Sequence, residues 1–593
     1  AAGMITIELD PKDIQVGEVV VTARKKEELS LTNIEERDIA SARVKVDMMD
    51  MRESGAITAA DALQGKVSGL DIISSSGDPG SGSSLVIRGL SGMGNSQPLV
   101  VIDGIPQDKL NNFSLASADQ EAISNRLNIP LQDIKSIEVL KDAASTAIYG
   151  AKGADGVLLI ETYKGRLGKV QFDYTYKGSL NVQPPTIPML SGDEYIMLQL
   201  EEWHNYKGIF EIPSEIAYDP DYSGFYNYSA NTDWMSEVTQ LGYTHDNYLS
   251  ISGGGEKTRY FTSFSYVDET GTTVNTGAKT FSTRVNLDYF LSKKILFSIQ
   301  FSYTNVNREL MKTVKKEDFK DRNVREMAYI KSPNMSIWEY DAYGDPTGEY
   351  FTPVTSYQGA GQFYFNPVAV AKLGSNHEYN NNLQNNFTLS YNIVRWLKFR
   401  ETLSFQFNGN KSKNFLPYNA LGTDWLEWTV NKAEEGNYMS TSIKTESQLS
   451  FDSPFDSSNH QLSGAVTWIT DQFADEWMNL QSNKIPSVDI NDPAVNGQIN
   501  WIGTGSNERR NVGALLNLNY KFKDRYLVQG ILRADAYSSF GNDHRWGLFK
   551  GVSVGWRISD EPFLGNLNFL GETMLRVSWG VAGREPNTTY GRF

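Results

Sequence analysis

Residues Ser136–Glu161 read SIEVLKDAASTAIYGAKGADGVLLIE and encode a small folded unit within a much longer chain. The apolar, β-branched segment Ile137–Val139 predicts a strand, and the alanine-containing segment Asp142–Tyr149 predicts a helix. A second apolar run, Val157–Ile160, predicts another strand. Between the helix and this strand the chain carries three glycines: Gly150, Gly153 and Gly156. The stretch therefore predicts two short strands joined by a helix and a glycine-rich turn.

Composition argues against several kinds of site. The 593 residues contain no cysteine, so they can form neither a disulfide framework nor a thiolate metal site. The histidines are scattered, without the spacing of a metal site: His204, His245, His377, His460 and His544. A net charge of -16 argues against a nucleic-acid partner, because phosphate binding requires a basic surface. No set of side chains stands in a recognisable catalytic context, so we expect no metal, no cofactor and no enzymatic activity.

The chain combines a polar average with many aromatic residues. Its mean hydropathy is -0.41, and aromatic residues make up 12% of it. No window approaches the roughly 18–20 consecutive apolar residues that a membrane helix needs. In a transmembrane β-barrel only alternate residues face lipid, so a polar average is compatible with that class.

Apolar and polar residues alternate with a period of two in several segments. They include Val170–Lys177, Phe281–Tyr289, Ile295–Tyr303 and Asn511–Tyr520. A soluble β-sandwich would alternate in the same way. Two features favour a barrel: the predicted strands have the length of about nine to eleven residues that a tilted membrane strand needs, and aromatic residues recur at strand ends. Those aromatic residues are Tyr289, Tyr303, Tyr520 and Tyr526.

Tight and long connections alternate along the predicted strands. The tight ones are Gly253–Lys257, Leu291–Lys294, Asn392–Trp396, Asp452–Asn459 and Phe522–Arg525. The long ones are Asn181–Gly242, Asn307–Asn380, Asn408–Asn437 and Thr470–Arg509, with shorter outer connections at Asp268–Lys279 and Ser538–Lys550. Short periplasmic turns with long extracellular loops are typical of outer-membrane barrels. We expect about thirteen strands from Lys169 onward, with Trp579–Arg584 inside the last of them.

Further motifs precede the opening stretch in the chain. They are DALQGKVSGLDI at Asp61–Ile72, LVIRG at Leu85–Gly89 and LVVIDGIP at Leu99–Pro106. Together with Ser136–Glu161, these segments resemble, in the same order, the plug domain of TonB-dependent outer-membrane transporters. The resemblance is closest to the SusC/RagA-like branch and covers about 120 residues.

The resemblance implies a transmembrane antiparallel β-barrel of about 22 strands with an N-terminal α+β plug domain in its lumen. Only about 13 of these strands would lie in this chain, and an open barrel would leave bare strand edges in lipid. We therefore expect further strands beyond Phe593 and a truncated N-terminus. The expected domains are the end of a carboxypeptidase-regulatory-like domain (1–17), a TonB box and linker (18–46), the plug domain (47–165) and the N-terminal part of the barrel (166–593).

The resemblance also implies a function: TonB-dependent import of a large nutrient, a glycan (oligosaccharide) or a peptide, across the outer membrane of a Gram-negative bacterium. The implied partners are TonB, energised by ExbB/ExbD, a SusD-like surface lipoprotein and outer-membrane lipid, with a dimer of SusC–SusD pairs as the assembly. The segment EVVVTA resembles a TonB box, and a short β-branched segment can add as a strand to a partner's sheet edge. The residues expected to bind TonB are Glu18, Val19, Val20, Val21 and Thr22.

Two groups of residues are candidates for the transport site. Arg88 and Asp103 are the plug charges that the resemblance places against charges of the barrel wall, although Arg88 could instead bond local carbonyls. Aromatic rings in the long loops, beside Asn and Asp, suit sugar stacking or peptide capture, although they could equally pack loop on loop. The candidate substrate-binding residues are Tyr226, Tyr228, Trp234, Trp338, Tyr364, Trp425 and Trp428.

Three other functions stay open at this point. A diffusion porin would need neither Val19–Thr22 nor the plug. A surface adhesin or scaffold would bind a partner through its loops without uptake. A stand-alone receptor for a siderophore or cobalamin would use the same energy coupling without a lipoprotein partner.

Overall fold

The computed structural model describes residues 43–48, 56, 59–74, 77–80, 83–89, 97–107, 129–207, 212–316, 319–353, 365–421, 431–453, 459–495, 497–539, 545–562 and 573–583. These residues form two main sheets, one of five strands and one of thirteen. No helix in these ranges is long and apolar enough to cross a membrane.

The five-stranded sheet, with the elements around it up to Thr162, is called the plug here. Its strands, together with the small hairpin β2–β3, are β1 (Arg43–Asp47), β2 (Leu70–Ser74), β3 (Ser83–Ile87), β4 (Leu99–Ile102), β5 (Ile105–Pro106), β6 (Ile134–Leu140) and β7 (Val157–Thr162). Its helices are α1 (Ala59–Leu63) and α2 (Ala143–Thr146), and α2 runs into a 3-10 segment, Ala147–Gly153. The strand order is β1-β6-β7-β4-β5, in which β4 and β7 are parallel. The strand–helix–turn–strand prediction for Ser136–Glu161 is confirmed, with a shorter α-helix than expected.

Apolar side chains hold the plug together. Strand β4 reads LVVI and is buried along its whole length, as expected for an inner strand covered on both faces. Residues from α1, β3, β6 and β7 pack with it into one core. Its most deeply buried members include Leu63, Leu85, Val100, Ile134, Ile137, Val139 and Leu158.

The thirteen-stranded sheet is called the wall. Its strands are β8 (Gly168–Asn181), β9 (Gly242–Gly254), β10 (Thr258–Thr270), β11 (Gly277–Phe290), β12 (Ile295–Glu309), β17 (Ser375–Val394), β18 (Leu397–Leu416), β19 (Lys432–Asp452), β20 (His460–Asn483), β21 (Gln498–Phe522), β22 (Tyr526–Tyr537), β23 (Trp546–Arg557) and β24 (Met574–Gly580). Two short hairpins lie in the connection after β12, namely β13 (Thr313–Lys316) with β14 (Phe319–Asn323), and β15 (Trp338–Tyr340) with β16 (Pro346–Tyr350).

Each wall strand pairs antiparallel with the next wall strand along the chain. The predicted count of about thirteen strands and four of the five predicted tight turns are confirmed. Most of the fifth turn, Asp452–Asn459, lies outside the described residues. Within the described residues, β8 and β24 are the outer strands of the sheet.

Most polar and apolar side chains of the wall lie on opposite faces, although a few apolar residues such as Leu515 contact the plug. The face that contacts the plug, called the lumenal face, carries buried polar residues such as Ser263, Arg284 and Asn386. The opposite face carries large exposed apolar residues. They include Leu389, Leu403, Ile443, Val466, Trp468, Leu518, Val528, Val552 and Val577. Polar residues inside and apolar residues outside are the pattern of a barrel in lipid, the reverse of a soluble protein.

The predicted bounds of two long connections, Asn408–Asn437 and Thr470–Arg509, are wrong because strands occupy much of both segments. Strand β18 extends to Leu416 and β19 begins at Lys432, so both run through much of one segment that was expected to be a loop. In the same way, β20 extends to Asn483 and β21 begins at Gln498, within the other expected loop. The apolar alternation stops where the outward-facing residues become polar, although the strand continues. On β20 and β21 these residues are Gln472, Glu476, Glu508 and Arg510. The last strand, β24, is also displaced from the prediction and ends at Gly580.

The long connections contain short helices. They are α3 (Gly192–Lys207), α4 (Ser214–Ala217), α5 (Phe225–Tyr228), α6 (Trp234–Val238), α7 (Val324–Ile330), α8 (Pro367–Leu373) and α9 (Tyr418–Leu421). Local side chains define their starts: Asn323 and Glu326 form a capping box at α7, and Asn366 accepts the N–H groups of Val368 and Ala369 at α8.

Candidate functional site: the plug seat and the outer loops

The contacts between the plug and the lumenal face of the wall are called the plug seat here. Asp103 lies in the plug seat, in the turn between β4 and β5. Its φ of 49° and that of Gly104, 91°, are the left-handed values that a two-residue type I′ turn requires. The buried carboxylate accepts the Thr162 backbone N–H at 2.9 Å and the Thr162 hydroxyl at 2.6 Å. Arg284 Nη1, on β11 of the wall, lies 3.7 Å from its Oδ2. The structure therefore places this candidate beside a charge of opposite sign on the wall.

A second plug carboxylate, Asp133, is buried at the same boundary. Its Oδ1 accepts the Tyr248 hydroxyl at 2.7 Å, and its Oδ2 accepts the Ser263 hydroxyl at 2.9 Å. Arg284 Nε lies 3.4 Å from Asp133 Oδ2, an ion-pair contact without hydrogen-bond geometry. Burial raises the pKa of Asp133 above its ordinary value, while Arg284 and the two hydroxyls oppose that shift. One wall guanidinium thus lies between two plug carboxylates.

The wall contributes a charge of the other sign on β20. Lys152 Nζ donates to Asp471 Oδ2 at 2.6 Å, and the two side chains are only 16% and 6% exposed. Asp471 also accepts from Ser442 Oγ at 3.4 Å and from Asn511 Nδ2 at 3.3 Å. The plug is therefore held to the wall by ion pairs in which the wall supplies a cation at one place and an anion at another.

Gly150 allows the wall to approach the plug backbone. A Cβ at this position would lie 1.9 Å from Asp535 Oδ2 and 2.7 Å from Arg533 Nε, so a side chain cannot be accommodated. Arg533 pairs with Asp535 at 2.8 Å and donates to the Ile148 backbone carbonyl. The glycine of the predicted turn is thus needed for a close contact between the plug and β22.

Arg88 takes a different place from the one expected. Its Nη2 lies 2.7 Å from Asp142 Oδ1, a plug residue, and its side chain is 57% exposed. Its backbone N–H donates to the Gly69 carbonyl at 2.9 Å. The ion-pair partner in the structure is therefore neither a wall charge nor a local carbonyl, because Asp142 lies on the plug itself.

Polar contacts dominate the boundary between plug and wall, in contrast to the apolar interior of the plug. Gln107 Nε2 donates to Gln384 Oε1 at 3.2 Å, and Lys444 Nζ donates to the Pro106 carbonyl at 2.6 Å. A cavity with mostly polar lining lies beside these contacts, between the plug and strands β11, β12 and β17. Apolar packing also crosses the boundary, where Leu515 meets the plug. Water can replace polar contacts when a surface separates, whereas it cannot replace an apolar core.

The connections after β8 and β12 pack against each other into an apolar core, called the loop core. Trp234 is 3% exposed, and its Nε1 donates to the Ser332 carbonyl at 2.9 Å. Tyr228 is also buried and meets Phe351 edge to face at 5.2 Å. Lys331 lies in the same core, and burial lowers its pKa to about 7. Tyr228 and Trp234 therefore use their rings for packing between loops.

Two other aromatic candidates stay accessible. Tyr226 is 44% exposed, and its ring lies over Gly344. Trp338 is 40% exposed and stacks on Tyr350 with ring centroids 4.4 Å apart. The remaining candidates lie outside the described residues: Glu18, Val19, Val20, Val21, Thr22, Tyr364, Trp425 and Trp428.

Sequence reasoning missed most of the plug seat. Arg284 stands in the polar half of the alternating segment Phe281–Tyr289, and a charge on the lumenal side of a membrane strand requires a partner. That signal could have identified Arg284, but not its partner Asp133. Asp471 fell in a segment that was expected to be a loop. Within the described ranges, no group of His, Asp and Glu residues is placed to hold a metal ion.

Comparisons with known proteins agree with the resemblance of the sequence to TonB-dependent transporters. A family model of the TonB-dependent receptor plug domain matches residues 35–157. The chain is 24% identical to TonB-dependent receptor P39 of Formosa agariphila over 553 residues, which are 92% of this chain and 48% of that protein. It is 25% identical to TonB-dependent receptor SusC of Bacteroides thetaiotaomicron over 608 residues, covering 99% of this chain and 55% of that one.

Among solved structures, the chain is similar to the RagAB peptide importer in its open-open state. The TM-score is 0.75 at 19% identity, over 94% of this chain and 61% of that chain. This likeness concerns the fold, and it agrees with the predicted antiparallel barrel with a plug. The chain spans about half the length of the curated relatives it matches.

Proposed function

We propose that this chain, which is similar to TonB-dependent receptors of the SusC/RagA type, takes part in active import of a large nutrient across the outer membrane of a Gram-negative bacterium. The nutrient is an oligosaccharide or a peptide. In this proposal residues 47–165 are the plug domain, residues 166–593 belong to the barrel, and no chemical step is catalysed.

The observation that carries the proposal is the nature of the boundary between plug and wall. The plug has its own apolar core, so it can stay folded when it moves. Its attachment includes buried but exchangeable ion pairs, such as Lys152 with Asp471. A domain of this kind closes the lumen at rest and can be displaced by an external pull. Accumulation of a tightly bound solute requires such an energy input, because a plugged pore does not release it downhill.

The pull would be applied through Glu18–Thr22. A segment with free backbone groups and β-branched side chains pairs with the sheet edge of TonB, and main-chain hydrogen bonds transmit the force. ExbB and ExbD would energise TonB. Residues 1–17, 18–46 and the plug would then act in series, as a preceding domain, a linker carrying the TonB box and the moving gate.

A SusD-like surface lipoprotein is the proposed partner at the outer end, with pairs of the two proteins forming a dimer. The loop core supplies a packed outer surface for such a partner, and Tyr226 and Trp338 stay accessible there for cargo. Tyr364, Trp425 and Trp428 are proposed as further cargo contacts. Purification of the full-length protein in mild detergent, followed by mass spectrometry, tests this: a stoichiometric lipoprotein is expected, and a protein that purifies alone would contradict the partnership.

The proposed import is tested with Val20→Pro in the full-length protein. Proline removes a backbone N–H from the strand that TonB must grip. On a nutrient that a deletion strain cannot use, the variant should bind at the cell surface but fail to accumulate it, as in a strain without TonB. Val20→Ile, which keeps the N–H, should accumulate the nutrient normally. Normal accumulation by Val20→Pro, or a deletion strain that uses every glycan and peptide tested, would overturn the proposal.

A further inference from the structure

The lumenal face of the wall continues above the plug seat on β20 and β21. Asp471 contacts the plug, and the pairing of β20 with β21 has no irregularity before Gln481, so Trp477 lies on the same face as Asp471. On β21, Asn511 donates to Asp471, so Trp501 shares that face as well. Both indoles therefore point into the lumen. At about 3.3 Å per residue, Trp477 lies roughly 20 Å along the strand from the Lys152–Asp471 ion pair.

Glycines on the lumenal face of β21 let the two indoles lie flat against the sheet. A Cβ on Gly505 would lie 2.5 Å from Trp477 Nε1. A Cβ on Gly503 would lie 2.5 Å from Trp501 Cζ2 and 3.1 Å from Trp477 Cζ3. The two rings thus cover the bare backbone of β21 and meet above Gly503. Trp501 is 48% exposed and Trp477 is half-buried, so ring surface faces the lumen.

Polar side chains surround this aromatic surface. Asp475 Oδ1 accepts from Asn507 Nδ2 at 3.2 Å, directly below Trp477 on the two strands. Asn479 lies above Trp477 on β20, next to Gly436 of β19. Carboxylate and amide groups thus flank a flat apolar surface on both sides along the strands.

We propose that Trp477 and Trp501 form a stacking platform for a sugar ring of a neutral oligosaccharide in the lumen above the plug. This inference rests on the proposed import function and specifies its cargo class. A pyranose ring offers an apolar face to an indole, while its hydroxyls donate to and accept from carboxylate and amide groups such as those of Asp475, Asn479 and Asn507.

At Trp477 the backbone of β20 favours an oligosaccharide over an extended peptide. Strand β20 is paired on both sides at this residue, with β19 and with β21, whereas the described part of β21 pairs with β22 only from Asn511 onward. At Trp477 the backbone groups of β20 are therefore already used, so β20 cannot capture an extended peptide by strand addition. Along β20, recognition must therefore come from side chains, and these provide aromatic stacking with neutral and acidic hydrogen-bonding groups.

The test measures binding to the purified full-length protein, with any lipoprotein partner that accompanies it, by isothermal titration calorimetry. The probes are neutral hexasaccharides of glucose, xylose and mannose and, for comparison, a set of heptapeptides. Wild type should bind at least one hexasaccharide, and the double variant Trp477→Ala/Trp501→Ala should lose about 10-fold or more in affinity. Trp468→Ala, on the outward face of β20, is the matched control and should bind like wild type.

Gly505→Ala provides a second, milder variant. The added methyl group displaces the Trp477 ring without removing it, so the affinity should fall while thermal unfolding stays close to that of wild type. Unchanged hexasaccharide affinity in the double variant would overturn the platform. Binding of peptides only, or of no hexasaccharide by wild type, would overturn the cargo class. Because no TonB is present, the result is independent of the import test: normal uptake by Val20→Pro would refute import and leave the platform standing.

Discussion

Lys152 Nζ lies 2.6 Å from Asp471 Oδ2, and this buried ion pair joins the plug to the wall across 319 positions of sequence. At a second place on the wall, on β11, Arg284 lies within ion-pair distance of Asp103 and Asp133. The signs are opposite at the two places, so the plug carries a cation where the wall is acidic and carboxylates where the wall is basic. This arrangement fixes the orientation of the plug as well as its position.

Removing one partner of the buried pair should loosen the plug. Lys152→Met leaves Asp471 as a buried charge without its cation, which should cost about 3–5 kcal/mol. Hydrogen exchange of β6 and β7, measured by mass spectrometry on the full-length protein, should speed up. In Lys152→Met/Asp471→Leu most of the protection should return, because no charge is left uncompensated.

The control for this prediction is Lys135→Met. Lys135 pairs with Glu161 inside the plug, and the two side chains are 36% and 28% exposed. An exposed pair of this kind contributes about 1 kcal/mol or less. Equal rates of hydrogen exchange in β6 and β7 of Lys135→Met and Lys152→Met would show that the ion pair with the wall stabilises the plug no more than an exposed ion pair does.

Asp133 should make the stability of the plug seat depend on pH. Its folded pKa is raised above 3.8 by burial, so the folded protein holds the proton more tightly than the unfolded chain. Stability contributed by this group is complete below pH 3.8 and is lost as pH rises through the raised pKa. In Asp133→Asn, which cannot titrate, the difference in melting temperature between acidic and neutral pH should shrink. Asp142→Asn, at the exposed pair with Arg88, should keep the dependence of wild type, and a matching loss there would contradict this assignment.

Lumenal glycines of the wall provide space for the plug helix α2. A Cβ on Gly580 would lie 2.6 Å from the backbone nitrogen of Ala144, so Gly580→Leu should displace the helix at a cost of about 1–3 kcal/mol. Gly530, on the outward face of β22, has open space around it, and Gly530→Leu should be tolerated. The readout is trypsin sensitivity of the plug in the purified protein, and similar sensitivity in both variants would contradict the prediction.

The outer aromatic residues should separate into a packing group and an accessible group. Trp234→Ala removes a buried ring and its hydrogen bond to the Ser332 carbonyl, which should cost the loop core about 3–5 kcal/mol and expose it to protease on whole cells. Tyr226→Ala should leave protease resistance unchanged, because its ring is accessible. Resistance of Trp234→Ala equal to that of wild type would show that the loop core does not depend on this ring.

The sequence predicted the architecture better than the contacts that hold it together. Local signals identified the plug motifs, the tight turns and the strand count, because alternation and turn chemistry are encoded within a few residues. The outer halves of β20 and β21 were missed because Gln472 and Glu508 face outward beyond the apolar band, which ends the alternation without ending the strand. Lys152 and Asp471 could not be paired, since their contact depends on how two distant units dock.

The candidate site was predictable only in part. Asp103 was identified from its motif, and the structure adds Arg284 as its neighbour. Trp234 and Trp338 looked alike as loop aromatics, yet one is buried and the other exposed, a difference set by tertiary packing. Trp477 and Trp501 were assigned to a loop, although the alternating glycines of the segment WIGTG indicate a flat surface on one face of a strand.

The proposed import requires the plug to move relative to the wall. Ala147 of the plug and Gly551 of β23 suit a disulfide, because a Cβ on Gly551 would lie 3.4 Å from that of Ala147. The described chain has no cysteine of its own, so Ala147→Cys/Gly551→Cys creates a defined cross-link. When oxidised, this variant should bind its nutrient at the surface without importing it, and reduction should restore uptake, while each single cysteine variant imports in both states. Import at the wild-type rate with the cross-link fully formed would show that import does not require this movement of the plug.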